Sequence, residues 1–227
     1  MDLINYQEGV LLLVDKPREW TSFDVVNKLR YTIKIKKIGH AGTLDPLATG
    51  LLIIGTGKFT KKLNELQGLD KEYEGIFEIG KTTPSFDLET PYDTENDISA
   101  ITSDQIIEAA KTLSGFQNQV PPQYSAIRIN GERAYKHARN NEEVKIDPRP
   151  VIIHEFEIKK IEGADIHFRI KCSKGTYIRS IARDLGERLG VGAYLKELKR
   201  TVVGSFHLKD AKQLDQLINE IQESANH

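Results

Sequence analysis

Residues 39–50 read Gly39-His40-Ala41-Gly42-Thr43-Leu44-Asp45-Pro46-Leu47-Ala48-Thr49-Gly50. Three glycines, two threonines and a proline surround a single carboxylate. Such a stretch makes tight turns and lets backbone approach a ligand closely. The residue before a proline is held extended, which fixes how the Asp45 side chain is presented. A plain structural turn with Asp45 as a cap is the competing reading of the composition. The flanks read as strands. Residues 51–54 (Leu-Leu-Ile-Ile) form a short apolar run, and 10–14 form another that ends at Asp15-Lys16-Pro17. Thr21-Ser22 then offers an N-cap, with Phe23, Val26 and Leu29 following at helical spacing.

Further along, 58–66 is expected to be a short helix, and 71–80 alternates as a strand. The acidic stretch 81–100 reads as an exposed connection. Ser103 is expected to cap a helix carrying Ile106, Ile107, Ala110 and Leu113, which Gly115 ends. Pro121-Pro122 and Asp147-Pro148-Arg149-Pro150 bracket a segment, about 120–150, that reads as an insertion with a turn at Asn130-Gly131 and a short basic helix over 133–140. Strands are expected at 151–161, 165–173, 194–203 and 205–208, and helices at 178–189 and 212–221. Helices and strands alternate irregularly, with hairpins. The class is therefore α+β, a mixed, largely antiparallel sheet flanked by helices, in one domain spanning 1–227.

The chain has 227 residues, 39% of them apolar, and a formal net charge of −1. It can bury a substantial core, and it is neither disordered nor fibrous in composition. The longest apolar runs are too short to span a bilayer, and the start lacks a secretory pattern. One cysteine, Cys172, allows no internal disulfide and fits a reducing compartment, so a cytoplasmic location is expected. The six histidines are scattered without ligand spacing, so no metal is expected. Gly55-Thr56-Gly57-Lys58-Phe59-Thr60 fails the phosphate-loop pattern, because Leu52 stands where the first Gly belongs and Phe59 follows the Lys. Charge is segregated despite the balance. Lys28, Arg30, Lys34, Lys36 and Lys37 fall in one acid-free run, and Arg169, Lys171, Lys174, Arg179 and Arg183 in another. Local patches of this kind decide what phosphates see, although a solvated helix face is the ordinary meaning of any one run.

The run GHAGTLDPLATGLLIIGTGKFTK resembles the signature of the TruB family of pseudouridine synthases, which isomerise uridine 55 in the T-loop of tRNA. The resemblance covers nearly the whole chain. Asp15-Lys16-Pro17 with Trp20-Thr21-Ser22 resembles the family's first motif, and Lys71-Glu72-Tyr73 its tyrosine motif. Pro121-Pro122-Gln123-Tyr124-Ser125-Ala126 and Gly131-Glu132-Arg133-Ala134-Tyr135 resemble its RNA-binding insertion. Lys174-Gly175-Thr176-Tyr177-Ile178-Arg179-Ser180 matches its arginine motif and Leu198-Lys199-Arg200-Thr201 its late segment. Two positions depart from the pattern. Ala41 stands where a hydroxyl residue is usual, which removes a polar contact from the loop, and Glu19 stands where Gly is usual, which alters that turn. Many relatives carry a further RNA-binding domain called PUA; about twenty residues remain for it here, so no separate PUA domain is expected.

The resemblance implies a reaction without a cofactor. The C1′–N1 bond of uridine breaks, the uracil turns in place, and C5 joins C1′. Asp45 is the implied essential carboxylate, acting either as a nucleophile or as a base toward the ribose 2′ proton. Arg179 is its implied cationic partner. The target base must flip out of the loop. Tyr73 is implied to stack on it, Tyr177 to line the pocket, His40 to fill the vacated space, Lys16 to support the loop and Leu198 to wall the uracil. Arg128, Arg133, Lys136 and Arg139 of the insertion are implied contacts to the tRNA T-arm, recognised by its folded shape. No membrane and no protein partner are expected, and a monomer is. Two other functions compete: a non-catalytic tRNA-binding or chaperone protein on this fold, and a guide-dependent rRNA synthase of the dyskerin type. The first predicts a tolerant site, yet Asp45, Tyr73 and Arg179 are all present. The second depends on a PUA domain.

Overall fold

The structure, a computed structural model, describes residues 5–225 apart from 126, 130, 131, 141 and 143, without the side chains of 128, 129, 133, 138, 139 and 225. The first elements are β1 (Leu11–Lys16), α1 (Ser22–Ile33), β2 (Ile38–Ala41), β3 (Thr49–Thr56), a 3-10 turn (Gly57–Lys62), α2 (Leu63–Gln67) and β4 (Lys71–Ile79). Next come β5 (Lys81–Thr82), β6 (Thr94–Glu95), α3 (Ser103–Thr112), β7 (Gly115–Gln119), β8 (Arg128–Ile129), β9 (Glu132–Arg133) and α4 (Ala134–Arg139). The rest is β10 (Arg149–Glu162), β11 (Asp165–Cys172), α5 (Ile178–Leu189), β12 (Ala193–Val203), β13 (Phe206–His207), β14 (Lys212–Gln213) and α6 (Leu214–Ala225). The class is α+β with a mixed, largely antiparallel sheet, as the alternation of elements predicts. The chain falls into two compact units: residues 1–73 with 198–227, and residues 74–197.

In the first unit β1 pairs antiparallel with β3 and parallel with β14, while β3 also pairs with β2 and with the end of β12. Alternation along β1 and β3 splits the core in two. Val14, Leu52 and Ile54 face α1 and α6, against Val25, Val26, Leu29, Leu217 and Ile221. Leu51 and Ile53 face the other way, against Leu63 of α2 and Val203. Each such buried aliphatic contributes about 1.5–3 kcal/mol. Helix α1 starts in a capping box, with the Thr21 hydroxyl accepting from Asp24 N–H and the Asp24 carboxylate accepting from Thr21 N–H. The buried side of α1 is Ser22, Val25, Val26 and Leu29, whereas Phe23 is exposed. Its place in the sequence pattern suited a core position, but the chain enters the helix so that Ser22 turns inward instead.

In the second unit β11 lies between β4 and β10, and β10 pairs antiparallel with β7. Phe77 stacks on Phe168 at 4.0 Å between ring centroids, and Phe156 meets Phe77 edge-on at 6.1 Å. Helix α3 packs on α5 and β10. Thr102 caps α3, not Ser103, and Ile107 is exposed while Ile106, Ala110 and Leu113 are buried. The acidic stretch 81–100 is only partly the exposed connection expected of it. Thr83, Ser85 and Asp87 are buried, and β5 and β6 form a hairpin within it.

Candidate active site

The glycine-rich stretch is shorter as a loop than its sequence indicates. Residues 38–41 are strand β2 and 49–50 begin β3, so the irregular part is 42–48. His40 therefore sits on a strand at the loop's entrance. Ala41 is fully buried among Leu51, Ile53, Leu63 and Val203. Its environment is apolar, so the methyl group fills core and no loop contact is missing there.

Side chains from outside the loop hold the backbone on both sides of Asp45. Ser22 Oγ accepts from Leu44 N–H at 2.9 Å and donates to Leu44 C=O at 3.2 Å. Lys16 Nζ donates to Pro46 C=O at 3.2 Å, and also to Pro17 C=O at 2.8 Å and Trp20 C=O at 2.5 Å. Glu19 N–H donates to the same Pro46 carbonyl at 2.8 Å. Arg200, on β12 and 1% exposed, donates to Leu51 C=O at 2.8 Å and Gly42 C=O at 3.1 Å, joining the two flanks of the loop. At the loop's end Thr49 Oγ1 donates to Leu198 C=O at 3.4 Å. Gly50 must be glycine: its φ is +99°, and a Cβ there would lie 2.4 Å from the Arg200 carbonyl oxygen. Tyr73 is buried on β4.

Burial pushes the Lys16 ammonium down to about 8; the Asp45 carboxylate pulls it up, and Arg200 pushes the same way as burial. Asp45 and Lys16 thus interact electrostatically inside the first unit. Burial also holds the His40 imidazole below its ordinary value, and the Arg200 charge adds to this. The ring is therefore neutral at pH 7, and its Nδ1 is buried without a hydrogen-bond partner.

The Lys16 shift has a measurable consequence. Between pH 8 and the unfolded value of 10.5 the unfolded chain holds a proton on Lys16 that the folded chain has released. Stability therefore rises with pH across that window, by at most about 1.4 kcal/mol per unit, and is flat in this respect below it. Urea unfolding of the wild type should gain on Lys16→Met between pH 7.5 and 9.5. A constant or shrinking difference would contradict the assignment.

Glu19 has φ +68°, in the left-handed region. An L-residue there costs about 1–2 kcal/mol, against about 0.4–1 kcal/mol of extra unfolded-state entropy for Gly. Glu19→Gly should keep the bond to Pro46, leave activity unchanged, and raise the melting temperature by about 2 °C. A lower melting temperature would show that the Glu19 side chain contributes contacts that outweigh the strain.

In the second unit Tyr177 is the N-cap residue of α5 and Arg179 lies in its first turn. Arg179 is 2% exposed, and its guanidinium is held within this unit. It donates to Ser85 C=O at 3.2 Å and Tyr124 C=O at 2.9 Å, and its Nε lies 3.6 Å from Asp87 Oδ2. Asp87 Oδ1 in turn accepts from Ser85 Oγ at 2.6 Å and Glu89 N–H at 2.9 Å. In the insertion, β8 and β9 form a hairpin pairing Arg128 with Arg133, and Arg139 ends α4. Lys136 is exposed. The side chains of Arg128, Arg133 and Arg139, and residues Ala126, Asn130 and Gly131 altogether, lie outside the described residues.

The second basic run is less available than its sequence indicates. Arg169 is held by Glu155 at 2.6 Å and Glu157 at 3.1 Å, and Arg183 by Asp184 at 2.6 Å. Lys28, Lys34, Lys36 and Lys37 of the first run are exposed. The sequence assigns no holding role to Ser22, Arg200 or Asp87. Ser22 and Arg200 grip the loop backbone, and Asp87 faces the Arg179 guanidinium. Ser22 and Arg200 fall within motifs that carry the family resemblance, whereas Asp87 leaves no trace. Among the described residues no group of three or more His, Cys, Asp or Glu could hold a metal ion, and no helix is long and apolar enough to cross a membrane.

A family model described as TruB family pseudouridylate synthase, N-terminal domain, matches residues 30–178, and one described as tRNA pseudouridylate synthase B C-terminal domain matches 179–227. The chain is 52% identical over 213 residues to the tRNA pseudouridine synthase B of Flavobacterium johnsoniae, covering 91% of this chain and 93% of that protein. It is 48% identical over 225 residues to the enzyme of that name from Chlorobaculum tepidum, covering 97% and 94%. Among solved structures it is similar to a chain of a Cbf5-Nop10-Gar1 complex, with a TM-score of 0.75 and 29% identity. That match takes in 97% of this chain but only 60% of the other, so this chain spans about three fifths of that longer protein.

Proposed function

This chain belongs to the TruB family of pseudouridylate synthases, and from that premise we propose that it isomerises uridine to pseudouridine in the T-loop of tRNA, at position 55. The observation that carries the reading is the clamped loop. Backbone on both sides of Asp45 is fixed by buried side chains, as a reacting carboxylate requires and a surface turn does not.

The residues divide the work as follows. Asp45 supplies the carboxylate, and Lys16, which feels its charge, holds the backbone beside it at Pro46. The same carboxylate serves attack on carbon or removal of the ribose 2′ proton. As C1′–N1 breaks and C1′–C5 forms, C5 gives up a proton and N1 gains one, so the reaction is an isomerisation with no other reactant. The flipped uracil stacks on Tyr73, a contact worth about 1–3 kcal/mol. In this reading Tyr177, Arg179 and Leu198 also serve as substrate-binding residues, and the carboxylate that the Arg179 guanidinium meets within its own unit is Asp87. A neutral His40 suits the space the base leaves, because an uncharged ring can be buried in the RNA without a counter-ion. The insertion, through Arg128, Arg133, Lys136 and Arg139, and the exposed lysines of the first basic run meet the T-arm phosphates. The protein works as a cytoplasmic monomer without a protein partner.

The test is direct. The purified chain is incubated with a T-arm stem-loop carrying tritium at uridine C5. Tritium release, with pseudouridine mapped to the T-loop position, supports the proposal. Tight binding without release would favour the non-catalytic reading.

A further inference from the structure

Gln119, the last residue of β7, is 3% exposed, and a buried polar amide needs hydrogen-bond partners. Its side-chain amide does something specific. Oε1 accepts from Tyr177 N–H at 2.8 Å, and Nε2 donates to Tyr177 C=O at 3.1 Å. One amide side chain thus grips one residue's peptide groups at both ends, as a neighbouring strand would. The residue paired with Gln119 across the sheet is Arg149 of β10. Its guanidinium lies 4.5 Å from the centre of the Tyr177 ring and donates to Gly175 C=O. The cross-strand pair therefore holds Tyr177 twice, Gln119 by the backbone and Arg149 by the ring. The next residue extends the attachment, for Val120 C=O accepts from Ser180 Oγ at 2.8 Å. Tyr124 C=O does the same for Arg179.

These contacts join two stretches far apart in sequence. Residues 119–124 open the insertion, and 177–180 open α5. We propose that Gln119 is a positioning residue for this enzyme. By fixing the Tyr177 peptide it sets the start of α5, and so the direction from which Tyr177 and Arg179 address the uridine. The proposal rests on the pseudouridine synthase reading given above. Gln119 itself touches no substrate. Its amide suits the task because Tyr177, with extended backbone at φ −96° and ψ 114°, has no helical partner for its own N–H. An error of about 1 Å in such a group can lower a rate by about 100-fold.

The experiment compares wild type with Gln119→Leu, which keeps the side chain's bulk and removes both bonds, and Gln119→Glu, which keeps the acceptor for Tyr177 N–H. Single-turnover rate and RNA affinity are measured separately on the T-arm stem-loop, well below the melting temperature. Gln119→Leu should lose about 10- to 100-fold in rate with affinity changed less than threefold. Gln119→Glu should recover part of that loss. A purely structural glutamine would lower the melting temperature and leave the rate of the folded fraction unchanged; that result overturns the proposal. A loss confined to affinity overturns it too. Should Gln119→Leu fail to fold, amide exchange in the wild type decides. The Tyr177 N–H should be protected like the β7–β10 ladder, and fast exchange would mean that the grip does not exist. A wild type that binds the stem-loop but makes no pseudouridine would count against the functional reading, while the exchange measurement would still judge the grip.

Discussion

Asp45→Asn is expected to abolish turnover while leaving the fold and RNA binding intact. Asn keeps the shape of the side chain and the extended backbone before Pro46. It removes the negative charge that either form of the chemistry needs. The clamps on Leu44 and Pro46 are made to backbone, by Ser22, Lys16 and Glu19, and do not use the Asp45 carboxylate. The loop should therefore stay in place. The loss should reach about 10⁴-fold, the upper end of what a positioned acid–base group supplies, with more if the carboxylate attacks carbon. Stem-loop affinity should change less than about threefold, since one carboxylate contributes little beside many phosphate contacts. The measurement is single-turnover pseudouridine formation beside equilibrium binding. Turnover within tenfold of wild type would remove Asp45 from the reaction. A parallel collapse of binding and melting temperature would make it a structural residue.

Much of this was legible in the sequence because the relevant signals are local. The apolar runs at 10–14 and 51–54 gave β1 and β3, and the amphipathic stretch closed by Gly190 gave α5 with the bounds Ile178–Leu189. Caps written in adjacent residues placed the start of α1. Asp45 stood out because its neighbours are glycine, threonine and proline. The residues that hold it did not stand out, because their partners are backbone atoms distant in sequence. Ser22 reaches Leu44, and Arg200 reaches Gly42 and Leu51. No spacing rule connects such pairs, and a serine after a cap residue looks like part of the cap. Gly39–Gly50 read as one long loop because glycine and threonine weaken any strand signal, yet pairing with β3 draws 38–41 into the sheet. Position 41 illustrates the same override: an alanine beside a glycine reads as loop, and tertiary packing makes it core.

Asp87 is the largest misreading and carries the second large effect. It lies among Glu89, Asp93, Glu95 and Asp97, and an acidic run ordinarily means solvent. Instead the chain turns at Phe86, φ +61°, and brings Asp87 inside against the Arg179 guanidinium. Both groups are buried, so each depends on the other for compensation of its lost hydration. Asp87→Asn cannot replace that. If the amide oxygen keeps the bonds from Ser85 Oγ and Glu89 N–H, its NH₂ faces a cation; if it turns, those two donors lose their acceptor. Removing one partner of a buried pair costs about 3–5 kcal/mol, which for a chain of this size is a fall of roughly 6–20 °C in melting temperature. Activity should fall with it at temperatures where the variant is still folded, because Arg179 loses one of the groups that aim it, whereas RNA affinity should hold. Asp87→Glu should restore charge but not reach, and should recover stability only in part. Thermal unfolding and single-turnover rates for the two variants side by side make the check. A melting temperature within 2 °C of wild type for Asp87→Asn would mean that the carboxylate does little for the buried arginine, and that the carbonyls of Ser85 and Tyr124 suffice to hold it.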